Sequence, residues 1–130
     1  MKNNGALADT CAWIEYFKPG SSVMKNALEK FLLNGRVFVC GPVLYELTQG
    51  IKSAKERSAV MDALKSLDYL EMTDSLWLSA GELSSTLRKA GKTIPFSDIL
   101  IAVIALENNL SVVTIDKHFR DVKGLDVIPS

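Results

Sequence analysis

Residues 37–47 read Val-Phe-Val-Cys-Gly-Pro-Val-Leu-Tyr-Glu-Leu. The first four fit a strand, Gly41-Pro42 stops it, and Pro42 falls in the first turn of a following helix, where proline is tolerated. A strand that hands straight to a helix is half of a β–α–β unit, and the pattern repeats on both sides. Upstream, Val23, Met24, Ala27, Leu28, Phe31 and Leu32 recur at three and four, which predicts a helix over Ser22 to Leu33 stopped by Asn34-Gly35. Earlier still, Ala6 to Ala8 is a short apolar strand ending at Asp9, and Cys11 to Phe17 is helical up to Pro19-Gly20.

Downstream, Val60, Met61, Leu64 and Leu67 predict a helix from near Ala54, and Tyr69 to Met72 a short strand. Leu76, Ala80, Leu83, Leu87 and Ala90 form the stripe of a helix capped by Thr73 or Asp74 and stopped by Gly91. After Pro95, the run Ile99 to Leu106 is apolar on every face, a buried helix ending at Asn108-Asn109. Val112 to Ile115 is a strand ending at Asp116, and Asp126 to Ile128 is the last. Alternating elements of this kind predict an α/β fold with a central parallel sheet of 4–5 strands flanked by helices.

The 130 residues predict a single domain, 1–130, with one core. A hydrophobic content of 48% against 23% charged residues excludes a disordered chain. Fifteen basic and 15 acidic residues cancel, which argues against gripping a polyanion by bulk basicity. Cys11 and Cys40 have no metal-ligand spacing. No apolar leader or membrane-length run is present, so a cytoplasmic protein is expected, with no membrane partner.

Of four carboxylates, three stand at strand exits or on the helices that follow, where ligands bind in such sheets, and the fourth arrives from the adjacent buried helix. Asp9 and Asp116 follow strands, Glu46 lies on the helix after the second strand, and Asp98 enters the most apolar helix. Each has an ordinary reading: a cap for Asp9 and Asp116, a solvent-facing residue near a helix start for Glu46, a cap or dipole partner for Asp98. Jointly they mean more, because like charges brought together raise each other's pKa unless a cation joins them. A set without His or Cys is a hard-oxygen site suited to Mg²⁺ or Mn²⁺.

Asp9-Thr10 with Trp13, Val43-x-x-Glu46-Leu47, Pro95-x-Ser97-Asp98-x-x-Ile101-Ala102 and Thr114-x-Asp116-x-x-Phe119 resemble the successive motifs of PIN domains, and within them the VapC-like toxins of toxin–antitoxin pairs. The resemblance runs from Leu7 to Ile128 and implies a PIN-like fold and an endoribonuclease dependent on Mg²⁺ or Mn²⁺. It also implies a homodimer, an RNA substrate and a VapB-like antitoxin. Asp9, Glu46, Asp98 and Asp116 then become the catalytic and metal-binding acids. Thr114 matches a hydroxyl that orients an acid or a water, and Thr10 is a lesser candidate of that kind. Phosphodiester hydrolysis leaving a 5′-phosphate and 3′-hydroxyl follows by the same resemblance.

Other residues read more plainly. Lys52, Lys55 and Arg57, and Arg88, Lys89 and Lys92, are basic clusters read as solvated faces that can meet RNA phosphates. His118, next to Asp116, is read as a surface residue, with a hydrogen bond to substrate or a role as an acid as the alternative, and Asp121 as a solvated charge, with an extra acid near the site as the alternative; Trp13, Tyr16 and Phe17 are core or an aromatic patch for the antitoxin. A phospho-receiver needs paired acids after the first strand, and a haloacid-dehalogenase-type phosphatase needs an Asp at position 11; this chain has Thr10-Cys11. A non-catalytic PIN-like RNA- or protein-binding module is the remaining alternative. With the four acids set aside, 15 basic residues face 11 acidic ones, a net charge of +4 around an acidic site.

Overall fold

A computed structural model describes residues 4–129. The elements run β1 (Ala6–Ala8), α1 (Thr10–Phe17), α2 (Val23–Leu33), β2 (Val37–Cys40), α3 (Gly41–Gln49), α4 (Ala54–Leu64), β3 (Asp68–Leu70), α5 (Asp74–Lys89), α6 (Phe96–Glu107) and β4 (Ser111–Val113). A short 3₁₀ helix (Lys117–Asp121) and β5 (Val127–Ile128) complete the chain. All strand pairs are parallel, in the order β3-β2-β1-β4-β5. This is the five-strand form of the expected α/β sheet.

Local chemistry sets the helix starts. The Ser22 hydroxyl accepts from Lys25 N–H at 3.1 Å, Ser53 from Glu56 N–H at 3.1 Å, and Thr73 from Leu76 N–H at 3.2 Å, so Thr73 rather than Asp74 caps α5. Gly91, at φ +78°, closes that helix in a conformation open to glycine.

The core lies along β1 and α6. Ala6, Leu7 and Ala8 are at most 1% exposed, which requires cover on both faces of the sheet. α2 packs on β1, β2 and β4, and α6 packs on β1 and β4. Residues 99–105 of α6 are all buried, as the apolar run predicts, although Leu106 at its end is exposed, and Asp98 is buried with them. Tight entry into β1 depends on Gly5: at φ +143° it tolerates a backbone that other residues resist, and a Cβ there would collide with the Arg36 carbonyl.

Three of the boundaries that differ from expectation are instructive. β3 pairs over Asp68–Leu70 rather than 69–72, in register with Phe38–Cys40. α4 ends at Leu64, and Leu67 packs against the core from the turn that follows. β4 ends at Val113 rather than at Ile115, because the Thr114 hydroxyl accepts from Asp116 N–H at 2.9 Å and turns the chain out, leaving Ile115 63% exposed.

Candidate active site

Strand order reverses at β1: the chain winds through β2 to β3 on one side, then crosses to β4 and β5 on the other. The carboxyl ends of β1 and β4 therefore flank the crevice where open α/β sheets bind ligands. Asp9 leaves β1 and caps α1, with Oδ1 accepting from Thr10 N–H at 2.8 Å. Its Oδ2 accepts from the Thr114 hydroxyl at 2.9 Å. The Thr114 oxygen in turn accepts from Asp116 N–H. One fully buried hydroxyl thus fixes the acids after β1 and β4 relative to each other.

Glu46, half-buried on α3, is held at both oxygens. Oε1 accepts from Thr10 Oγ1 at 2.6 Å and Oε2 from Ser97 Oγ at 3.1 Å, so this carboxylate ties α1 to α6. Asp98 enters from the first turn of α6 and is 6% exposed. All four expected acids reach one end of the sheet, and Asp9 and Asp116 carry out their capping roles at the same time.

Their electrostatics record the crowding. Burial, together with the charges of Asp116 and Asp9, pushes the Asp98 carboxyl up to about 7; a hydrogen bond with Asp116 adds to this and His118 opposes it. Burial also raises the Asp9 carboxyl, against hydrogen bonds from Thr114, Thr10 and Cys11, with the Glu46 charge adding to the rise. Burial raises the Cys11 thiol as well, so it remains an S–H, 3.6 Å from Asp9 Oδ2.

Two surface readings hold and gain partners. His118 is exposed, as expected, and its Nδ1 also lies 2.8 Å from Asp116 Oδ1 and 3.5 Å from Asp98 Oδ2. Among the described residues, Asp98, Asp116 and His118 form the compact donor group, with ligand atoms within 4.8 Å of one another; Asp9 and Glu46 stand farther out. Asp121, read as a solvated charge, pairs with Lys92 at 2.9 Å, which removes one ammonium from the second basic cluster. Ser97, quoted above only as part of a motif, proves to hold Glu46; its position one residue before Asp98 is the signal.

The aromatic residues divide. Trp13 is fully buried, with Phe17 stacked on it at 6.1 Å and Tyr16 edge-on at 5.5 Å. Phe17, with Ile14, Leu47, Ile51 and Val60, lines an apolar groove of about 440 Å³ that reaches Glu46. Among the described residues no helix is long and apolar enough to cross a membrane.

Comparison with known proteins agrees with this fold. Ribonuclease VapC11 of Mycobacterium tuberculosis is 26% identical over 117 residues, 87% of each chain. The DNA-bound VapBC structure from Salmonella typhimurium superposes with a TM-score of 0.80 at 24% identity, covering 95% of this chain and 96% of the other. VapBC-1 from nontypeable Haemophilus influenzae gives 0.78 at 23% identity, covering 94% and 95%. The PIN domain family model matches residues 6–125, which takes in every acid of the site. The chain belongs to the PIN domain family.

Proposed function

We propose that this chain is a Mg²⁺- or Mn²⁺-dependent endoribonuclease, the toxin of a toxin–antitoxin pair acting in the cytoplasm, with Asp9, Glu46, Asp98 and Asp116 as its metal-binding and catalytic acids. The observation that carries the reading is Asp98: a buried carboxyl pushed up to about 7 beside Asp116 and Asp9 belongs to a cluster that a divalent cation would relieve. The relatives named as VapC ribonucleases support the choice of RNA as substrate.

Asp98 and Asp116 would hold the ion directly, with Asp9 and Glu46 at the edge of the site. A bound divalent ion supplies charge stabilisation at the phosphoryl group and acidifies water, so no protein nucleophile is required. The chain's part is orientation. Thr114 fixes Asp9 and the Asp116 backbone, while Thr10 and Ser97 aim Glu46 across the crevice between α1 and α6. These bonds hold the acids in place before substrate arrives, which reduces the reorganisation left for the reaction.

The groove along α1, α3 and α4 suits a VapB-like antitoxin segment with apolar side chains for Ile14, Phe17 and Ile51 and a basic residue for Glu46. The exposed Trp77 and Phe96, stacked at 6.1 Å beside Leu78, supply an apolar face for a homodimer. The test is RNA cleavage with Mg²⁺ or Mn²⁺ by the wild type, Asp9→Asn and Asp98→Asn. Asn retains the ability to cap α1, so both variants should keep native circular dichroism while cleavage falls by about 100-fold or more. Full activity in either variant would sink the assignment.

A further inference from the structure

The compact donor group contains one atom that an all-carboxylate site lacks. Asp116 Oδ1 accepts from the His118 backbone N–H at 2.9 Å, closing a turn that lays the imidazole alongside the carboxylate. Nδ1 then stands 2.8 Å from Asp116 Oδ1 and 3.5 Å from Asp98 Oδ2. In an octahedral shell with bonds of about 2.1 Å, neighbouring donors are about 3.0 Å apart and opposite ones about 4.2 Å. Nδ1 is therefore spaced from Asp116 Oδ1 as an adjacent corner of such a shell, and at 3.5 Å from Asp98 Oδ2 it lies between the adjacent and the opposite spacing, within reach of the same ion. Asp98 is buried whereas the His118 side chain is 46% exposed, so the imidazole forms the solvent side of the group and has room to adjust.

We propose that His118 is a nitrogen ligand of the divalent centre, binding through Nδ1 beside Asp98 and Asp116, and that it shifts the preference of the site from Mg²⁺ toward Mn²⁺ and the later first-row ions. This rests on the reading of Asp98 and Asp116 as metal ligands. Mg²⁺ prefers oxygen donors and retains its waters, whereas imidazole suits transition metals, so one nitrogen among carboxylates discriminates between the two classes. A His118 that only donated a hydrogen bond to Asp116 would position that acid without favouring either ion.

The experiment uses the full chain with Mg²⁺ or Mn²⁺ in calorimetry, and Mn²⁺ in pulsed electron paramagnetic resonance, for the wild type, His118→Ala and His118→Asn. The wild type should bind Mn²⁺ more tightly than Mg²⁺ and show nitrogen hyperfine coupling on bound Mn²⁺. In both variants the coupling should vanish and Mn²⁺ affinity should fall about 10- to 100-fold, with Mg²⁺ affinity changing less than about threefold. Bound Mn²⁺ without nitrogen coupling in the wild type, or equal losses for both ions in the variants, overturns the role of His118 and leaves the metal site standing. A wild type that binds neither ion overturns the metal site itself.

Discussion

Replacing Asp98 by Asn should stabilise the metal-free protein while abolishing the activity proposed for it. In the fold this carboxyl titrates at about 7, against an ordinary value of 3.8. The folded chain therefore keeps a proton that the unfolded chain has released. The associated stability is full below about pH 4, falls as pH rises toward about 7, and then levels off. At about 1.36 kcal/mol per pH unit, the gap sets a ceiling of about 4 kcal/mol. Solvent reaching the pocket past His118 screens part of this and brings the expected effect to roughly 1–2 kcal/mol. Asn has the same shape and no charge, so the variant should exceed the wild type by that amount at about pH 8, and the two should converge at about pH 4. Urea unfolding in the presence of a chelator reads this directly, and thermal melting should show a rise of about 3–10 °C at the higher pH. A variant no more stable than the wild type at about pH 8, or a gap that does not widen with pH, would refute the reasoning. Adding Mg²⁺ or Mn²⁺ should narrow the gap, because binding stabilises only the chain whose site is intact.

Thr114→Val keeps the shape of the side chain but leaves Asp9 Oδ2 with only the Cys11 thiol and strands Asp116 N–H. It should cost about 1–3 kcal/mol in urea unfolding and lower cleavage, with Thr114→Ser restoring both. Trp13→Ala should cost about 3–5 kcal/mol, since the indole is fully buried; a change within the error of urea unfolding would contradict its place in the core. Ile14→Asp, on the exposed groove, should weaken antitoxin binding at least about tenfold in calorimetry while leaving RNA cleavage by the free chain unchanged. Gly5→Ala should cost more than about 1 kcal/mol, read as a lower melting temperature, because Cβ meets the Arg36 carbonyl.

What the sequence made legible was what short-range patterning controls. β1 and the middle of α6, residues 99–105, are buried on all sides, and their continuous apolar runs identify them without any tertiary knowledge. The four acids were legible because chain order and strand ends together place them at one edge. The end of β4 was hidden, since it turns on the Thr114 hydroxyl, whose partner Asp9 is 105 residues away. His118 was legible as a neighbour of Asp116, but its contact with Asp98 was not, because Asp98 comes from α6, on the other side of β4 in the chain. Trp13 and Phe17, four apart on α1, belong to one helix face, so periodicity could not tell the buried ring from the one lining the groove.

The pairing of β1 with β4 also sets a clock. Ala6, Leu7 and Ala8 lie in register with Ser111, Val112 and Val113, so the two strands that carry Asp9 and Asp116 meet across more than 100 residues of intervening chain. Synthesis runs from the N-terminus, and contacts of such long sequence separation form late. A ribosome making this chain releases β1, β2 and β3 well before β4, and the cleft stays unfinished until residues beyond 116 are free to fold. The acids that crowd together in the finished fold are thus kept apart for most of the time the ribosome holds the chain.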